Sequence, residues 1–354
     1  DTNGIYQWAQ NFGGTGDSSS AGRNRGYSVA INSEDSEDYV YITGQFLGED
    51  VDFDPLGGDS DHCDLSDRNW SSAYPDRFHG DVFFAKYNAT DGECQWARNF
   101  GGRRNDEGRG IAFDSSDNVY ITGRFRDNID LDPYGSYADD NDKLVNNRKF
   151  DVFIASYGTD GSFQWARQVR GDSWERVEGI AVLDPLPGET LGSVYITGQF
   201  KGSNVDFDPS RLYTDNNDIL HNSTSGKFDV FFASYGTDGS FQWARRVGNG
   251  RDDVAYGIAV LDPSGSDPGG VYITGQFRGH SAHASEVDFD PNGSYADDND
   301  ILLSDRNGNV FFAKYNATDG GYEWANEFGG GSNDEGFGIA VDSSGNVYIT
   351  GRFK

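Results

Sequence analysis

The chain is predicted to be all-β, a β-propeller of about five four-stranded blades built from repeats of about 77 residues. Three observations carry that prediction. The phrase Val-Tyr-Ile-Thr-Gly occurs five times, starting at Val40, Val119, Val194, Val271 and Val347, at intervals of about 79, 75, 77 and 76 residues. Self-similarity at a nearly constant period marks a repeat architecture. Each copy also sits in one long cassette, as in Trp96-Ala97, Gly110-Ile111-Ala112, Val119 to Gly123, Asp130-Leu131-Asp132-Pro133 and Asp151-Val152-Phe153. Finally, these segments are β-branched and aromatic, are separated by Gly, Asp and Asn clusters, and show no helical period. Residues 1–354 read as a single repeat domain.

Each cassette supplies four strands. Gly110-Ile111-Ala112-Phe113 is joined to Val119-Tyr120-Ile121-Thr122 by Asp114-Ser115-Ser116-Asp117-Asn118, a hairpin turn. The matching turn is Asp342-Ser343-Ser344-Gly345-Asn346 in repeat five and is longer in repeats three and four, so it lies outside the packed core. Val152-Phe153-Ile154-Ala155 and Phe163-Gln164-Trp165-Ala166 complete the set. Four antiparallel strands per unit make a propeller blade. The alternative is a β-solenoid, although solenoid coils are usually shorter and lack Trp at one recurring place. A blade of this length carries a surplus, a polar insert between Asp-Phe-Asp-Pro and the Val-Phe-Phe strand.

Val-Tyr-Ile-Thr-Gly-Gln-Phe followed by Val-Asp-Phe-Asp-Pro (Val194 to Pro209) resembles a bacterial β-propeller repeat family, the SBBP type. Val230-Phe231-Phe232-Ala233-Ser234-Tyr235 and Trp243-Ala244-Arg245 resemble it too, and the likeness runs along essentially the whole chain. The resemblance implies a propeller in a secreted or cell-surface protein and implies no activity. The enlarged acidic insert departs from the family pattern.

Composition narrows the function. Aromatic residues at 14%, against a hydrophobic content of only 35%, supply the bulk for a core. A formal charge of −30 argues against a nucleic-acid partner. No apolar run is long enough for a membrane-spanning helix, and no membrane insertion is expected. About four-fifths of the acids are Asp, which fits many turns, calcium ligation or an acidic high-salt surface.

The Asp pairs that precede Pro are the leading candidates for chemistry: Asp52 and Asp54, Asp130 and Asp132, Asp206 and Asp208, Asp288 and Asp290. In an extended chain residues i and i+2 face one side, so the paired carboxylates repel unless a cation or donor lies between them. Further acids follow at Asp59, Asp61 and Asp64, at Asp139, Asp140 and Asp142, at Asp215 and Asp218, and at Asp297, Asp298 and Asp300. Calcium takes roughly six to eight such oxygens and is the expected cofactor; the competing account is that these side chains cap turns. Sequons for N-glycosylation stand at Asn69, Asn88, Asn222, Asn292 and Asn316. Asn88 and Asn316 replace Gly158 and Gly236 of other repeats, which suggests a turn position tolerating positive φ. Cys63 and Cys94 are either a disulfide of an extracellular protein or buried thiols; Cys94 occupies the place of Phe163, Phe241 and Tyr322. His280, His283 and Glu286 interrupt repeat four and read as a solvated loop before they read as a zinc site, and His62 to His79 reads as an enlarged loop. No nucleophile, base and orienting group stand in a recognisable spacing, so no catalytic residue is assigned.

The expected function is a non-catalytic extracellular structural or adhesive protein whose partner is itself. A lectin-like propeller that binds extracellular glycans and a polysaccharide-active enzyme are the alternatives. Self-association follows from a strand count. The Val-Phe-Phe-Ala strand occurs only four times, at Val82, Val152, Val230 and Val310, whereas the Trp-Ala segment (Trp8, Trp96, Trp165, Trp243, Trp324) occurs five times. About nineteen strands for twenty places leave a three-stranded blade or an open edge, and an open edge invites strand complementation by a neighbour, head to tail.

Overall fold

The computed structural model describes residues 6–12, 24–34, 37–48, 50–54, 63–66, 79–132, 135, 142–146, 149–185, 188–209, 218–263, 269–279, 285–290, 300–304 and 307–354. These residues are all-β, and they gather into two compact units, 1–166 and 167–354.

The first unit opens with β1 (Arg25–Glu34) and β2 (Glu37–Phe46), followed by the two-residue strands β3 (Val51–Asp52) and β4 (Asp64–Leu65), then β5 (Asp81–Asn88) and β6 (Cys94–Phe100). Strands β1, β2, β5 and β6 make one four-stranded antiparallel sheet in that order, and β3 pairs β4 as a separate hairpin. The second repeat copies this plan in β7 (Glu107–Phe113), β8 (Val119–Arg126), β9 (Ile129–Asp130), β10 (Lys143–Leu144), β11 (Phe150–Tyr157) and β12 (Phe163–Val169). The acidic insert of each repeat is therefore closed at its base by a short ladder.

The second unit holds two further copies. One consists of β13 (Glu175–Leu183), β14 (Ser193–Phe200), β15 (Val205–Asp206), β16 (Ile219–Leu220), β17 (Asp229–Gly236) and β18 (Phe241–Val247). The other consists of β19 (Val254–Leu261), β20 (Gly270–Phe277), β21 (Ser285–Asp288), β22 (Ile301–Ser304), β23 (Asn309–Tyr315) and β24 (Tyr322–Phe328). A fifth sheet has two strands among the described residues, β25 (Glu335–Val341) and β26 (Val347–Arg352). The Trp8 segment, expected as a fifth Trp-Ala strand, is not a strand. It is held instead by Trp8 Nε1–H donating to the Ala89 carbonyl at 2.8 Å.

First strands of consecutive sheets pack together, β1 on β7 in the first unit and β13 on β19 and β19 on β25 in the second, which is how consecutive propeller blades meet. Each first strand carries an irregularity at the same place, for example between Gly108 and Gly110 and between Gly336 and Gly338. The cores are aromatic. Phe84 and Phe100 pack with Tyr157 in the first unit, and Phe232 with Tyr315 in the second, at ring-centroid distances of 4.7, 6.2 and 4.2 Å.

The hairpin turns explain part of the Asp content. Asp114 Oδ1 accepts from the Ser116 and Asn118 amides at 3.0 and 2.9 Å, and its Oδ2 accepts from Asn118 Nδ2 and Tyr120 Oη. Asp342 repeats these four bonds with Ser344, Asn346 and Tyr348. One carboxylate thus closes the whole turn.

Candidate functional site

Each Asp-x-Asp motif is built the same way in all four inserts. The middle residue (Phe53, Leu131, Phe207 or Phe289) is fully buried. Its amide donates across the base of the insert to the carbonyl of Cys63, Asp142, Asp218 or Asp300 at 2.8 to 2.9 Å. Its own carbonyl accepts from a buried tyrosine hydroxyl of the neighbouring strand, Tyr87, Tyr157, Tyr235 or Tyr315, at 2.8 to 3.0 Å. Oδ1 of the first Asp accepts from the amide of the second: Asp52 from Asp54, Asp130 from Asp132, Asp206 from Asp208 and Asp288 from Asp290, at 2.7, 3.2, 2.9 and 2.8 Å. The first carboxylate is therefore a turn cap in every copy.

Acidic neighbours surround that cap. Burial pushes Asp206 above the ordinary carboxylate range, and the charges of Asp218 and Asp208 add to the shift. Asp288 is raised in the same way by burial, Asp300 and Asp290. Burial, with the nearby Asp-x-Asp charges, likewise holds Tyr157, Tyr235 and Tyr315 neutral. Among the described residues no three His, Cys, Asp or Glu stand together in metal-ligating geometry. Asp59, Asp61, Asp139, Asp140, Asp215, Asp297 and Asp298 lie outside the described residues, as do His62, His280, His283, Asn69 and Asn292.

Cys63 and Cys94 form a disulfide. Cys63 stands where the other repeats place Asp142, Asp218 and Asp300, each accepting the same cross-insert amide. Cys94 stands opposite Tyr87, as Phe241 stands opposite Tyr235 and Tyr322 opposite Tyr315. In the first repeat a covalent link therefore replaces an acid and an aromatic ring.

The three described sequons differ in how their amides are used. Asn222 Nδ2 donates inward to the carbonyls of Lys201, Thr224 and Lys227. Asn88 and Asn316 present their Oδ1 to the amides of Thr90 and Thr318, each at 2.8 Å. The expected positive φ does not occur at these two asparagines. It falls later in the same turn, at Gly92 (79°) and Gly320 (69°), because the Asn side chain already caps the turn from an ordinary backbone conformation.

One recurring group went unread in the sequence. Asp106, Asp253 and Asp334 are buried at the start of the first strand of a sheet. One oxygen of each accepts from the amide of Gly102, Asn249 or Gly330, and the other from Arg126, Arg278 or Lys354. Each clamps the loop after a Trp-Ala strand to the end of a Val-Tyr-Ile-Thr strand. The signal was present in Gly101-Gly102-Arg103-Arg104-Asn105-Asp106 and Gly329-Gly330-Gly331-Ser332-Asn333-Asp334.

The last feature is an edge. Strands β2, β8, β14 and β20 are each paired on both sides, whereas β26, of the same sequence, pairs only with β25 among the described residues. Tyr348 is 58% exposed, while Tyr41, Tyr120, Tyr195 and Tyr272 at the same place are 0 to 3% exposed.

Residues 95–124 and 323–352 match the β-propeller repeat family SBBP. The first match runs from β6 through β7 into β8 and the second from β24 through β25 into β26, so each takes the last strand of one sheet and the first two of the next. An uncharacterized WD repeat-containing protein of Acanthamoeba polyphaga mimivirus is 24% identical over 241 residues, which is 64% of this chain and 16% of that protein. This chain thus spans about a sixth of the length of that relative. Two matched segments, four copies of one sheet plan and an all-β structure are consistent with a β-propeller-like repeat fold, with SBBP-type repeats matched at residues 95–124 and 323–352.

Proposed function

We propose that this is a non-catalytic structural or adhesive protein of the cell surface or extracellular space, and that it self-associates. The observation that carries the reading is the recurrence of one four-stranded sheet plan in four copies, which presents a repeated surface rather than a single centre. A contact between different surfaces of two copies is heterologous, and it propagates into a filament when the rotation does not close. The extracellular setting is supported by the disulfide, a bond that persists in oxidising compartments. The non-catalytic reading is supported by the use of the first Asp of every pair as a cap rather than as a free acid or base.

Calcium at the acidic inserts belongs to the same proposal. The observation favouring it is the crowding of Asp218 and Asp208 on Asp206, and of Asp300 and Asp290 on Asp288, which a divalent cation would relieve.

Sedimentation velocity and negative-stain imaging over a wide concentration range test the main reading. Concentration-dependent oligomers that grow with ionic strength are expected, since copies of charge −30 repel one another and salt screens that repulsion. Monomers at every concentration and salt would overturn self-association. Clean hits on a glycan array would favour the lectin-like alternative, and turnover of any polysaccharide would end the non-catalytic reading.

A further inference from the structure

One place in the repeat carries a lysine in some copies and a serine in others, and in the third copy the difference opens a cavity. A row of directly opposed residues crosses each sheet there: Tyr41, Lys86 and Trp96 in the first repeat, Tyr195, Ser234 and Trp243 in the third, and Tyr272, Lys314 and Trp324 in the fourth. Both lysines are buried. Lys86 Nζ stands 2.7 Å from the Glu34 carboxylate and lies over the rings of Tyr39 and Tyr41, at 3.8 and 5.5 Å from their centroids. Lys314 Nζ stands 2.9 Å from Glu323 and 5.8 Å from the Tyr272 centroid. In this fold a carboxylate and a tyrosine face therefore hold an ammonium group, through charge and the ring quadrupole.

The third repeat keeps the tyrosine and gains acids but lacks the lysine. Ser234 stands in the place of Lys86 and Ser193 in the place of Tyr39. The turn between β13 and β14 is also longer than that between β7 and β8. Tyr195 Oη–H donates to the Ala317 carbonyl at 2.9 Å, whereas Tyr120 donates to Asp114 of its own short turn. The result is a cavity of about 280 Å³, lined by Tyr195 and Trp243, by the acids Asp184 and Glu189, and by Leu191 and Pro263 among others. No lysine or arginine is among the described residues that line it. Burial, with a contribution from the Glu189 charge, raises Tyr195 above the ordinary tyrosine range, which sets that carboxylate within electrostatic reach of the ring.

We propose that this cavity binds a primary alkylammonium group, of a small amine or of a lysine side chain, in the place that Lys86 fills in the first repeat. Glu189 and Asp184 supply the charge that Glu34 supplies to Lys86, Tyr195 takes the part of Tyr41, and Leu191 and Pro263 give the alkyl stem an apolar wall. The volume suits one short chain rather than a larger ligand.

Calorimetric titration of the full chain with pentylammonium tests this, at an ionic strength that screens the general attraction of a chain of charge −30. Saturable binding is expected, with pentanol, the neutral isostere, weaker by about tenfold. Glu189→Gln, on an exposed side chain, should weaken the ammonium by about two- to fivefold and leave the alcohol unchanged. Ser234→Lys, which installs the lysine of the first and fourth repeats, should fill the cavity and abolish binding while thermal unfolding stays cooperative. Nα-acetyl-lysine methylamide separates the two sources. Binding as tight as that of pentylammonium extends the site to lysine side chains of a partner, and binding of the free amine alone confines it to small amines. No saturable binding, equal affinity for the alcohol, or binding untouched by both substitutions would overturn the proposal. If Ser234→Lys fails to fold, the alcohol comparison and Glu189→Gln decide the matter.

Discussion

Breaking the Cys63–Cys94 link should cost the first unit several kcal/mol. The cysteines are 31 residues apart, and both side chains are buried, Cys63 at 1% and Cys94 at 8% exposure. Closing a loop of that length in the unfolded chain corresponds to about 3.7 kcal/mol in the chain-entropy relation. Much of the buried packing at Phe53 and Tyr87 remains when the bridge opens, so the expected loss is about 3–4 kcal/mol, a large share of a domain's net stability. Urea unfolding with and without reductant measures it, with the free thiols counted and hydrogen exchange at β5 and β6 as the local readout. The second unit, which holds no cysteine, should be unaffected. Cys63→Asp combined with Cys94→Phe would rebuild the arrangement of the other repeats, where Phe163 stands 5.8 Å from Tyr157 and Phe241 stands 5.8 Å from Tyr235. That pair should recover about 0.5–1.5 kcal/mol relative to a double alanine variant. Coincident unfolding curves with both thiols titratable would refute the argument.

Other outcomes are expected from the same geometry. Tyr235→Phe removes the hydroxyl that satisfies the buried Phe207 carbonyl and should destabilise the second unit by about 1–3 kcal/mol, whereas Tyr348→Phe on the exposed edge should stay within about 0.5 kcal/mol in thermal melts. Burial, followed by the charges of Asp229 and Asp252, raises Asp253 well above the ordinary carboxylate range. The folded second unit then binds that proton more tightly than the unfolded chain does, so this group's contribution to stability should grow as pH falls from neutral and level off below about 4. Glu107 has the opposite sign: burial opposes its ionisation, but Arg124 and Arg109 prevail and lower it, so its contribution is present above its ordinary value of 4.5 and lost below it. Hydrogen exchange at β7 and at β19 across this pH range separates the two. Chelation should lower the melting temperature of calcium-loaded protein, and Asp206→Asn with Asp208→Asn should reproduce part of that loss; unchanged melting in excess chelator would leave the caps alone to explain these residues. In a eukaryotic secretory host, site mapping should find glycan at Asn88 and Asn316 before Asn222, whose amide nitrogen is held inward by three carbonyls.

The strands and their grouping were legible in the chain because they depend on local chemistry and on repetition. Val-Tyr-Ile-Thr-Gly, Val-Phe-Phe-Ala and Gly-Ile-Ala have the composition of strands wherever they stand. The turn role of Asp114 and Asp342 was legible for the same reason, since every partner lies within six residues. Trp8 shows the limit of that logic. Its Trp-Ala sequence matched a strand, but an isolated segment becomes a strand only where a neighbour offers its backbone, and here the indole bonds to a loop instead. The Asp-x-Asp pairs were visible as pairs, yet their use was decided by a tyrosine 26 to 34 residues away that captures the intervening carbonyl. The same holds for Cys63. Its sequence context gave no choice between thiol and disulfide, and the fold resolved it by bringing the base of the first insert against the last strand of its sheet. Sequence thus determined what recurs along the chain, while tertiary structure decided which distant group satisfies each buried polar atom, because that depends on where the packed strands place it.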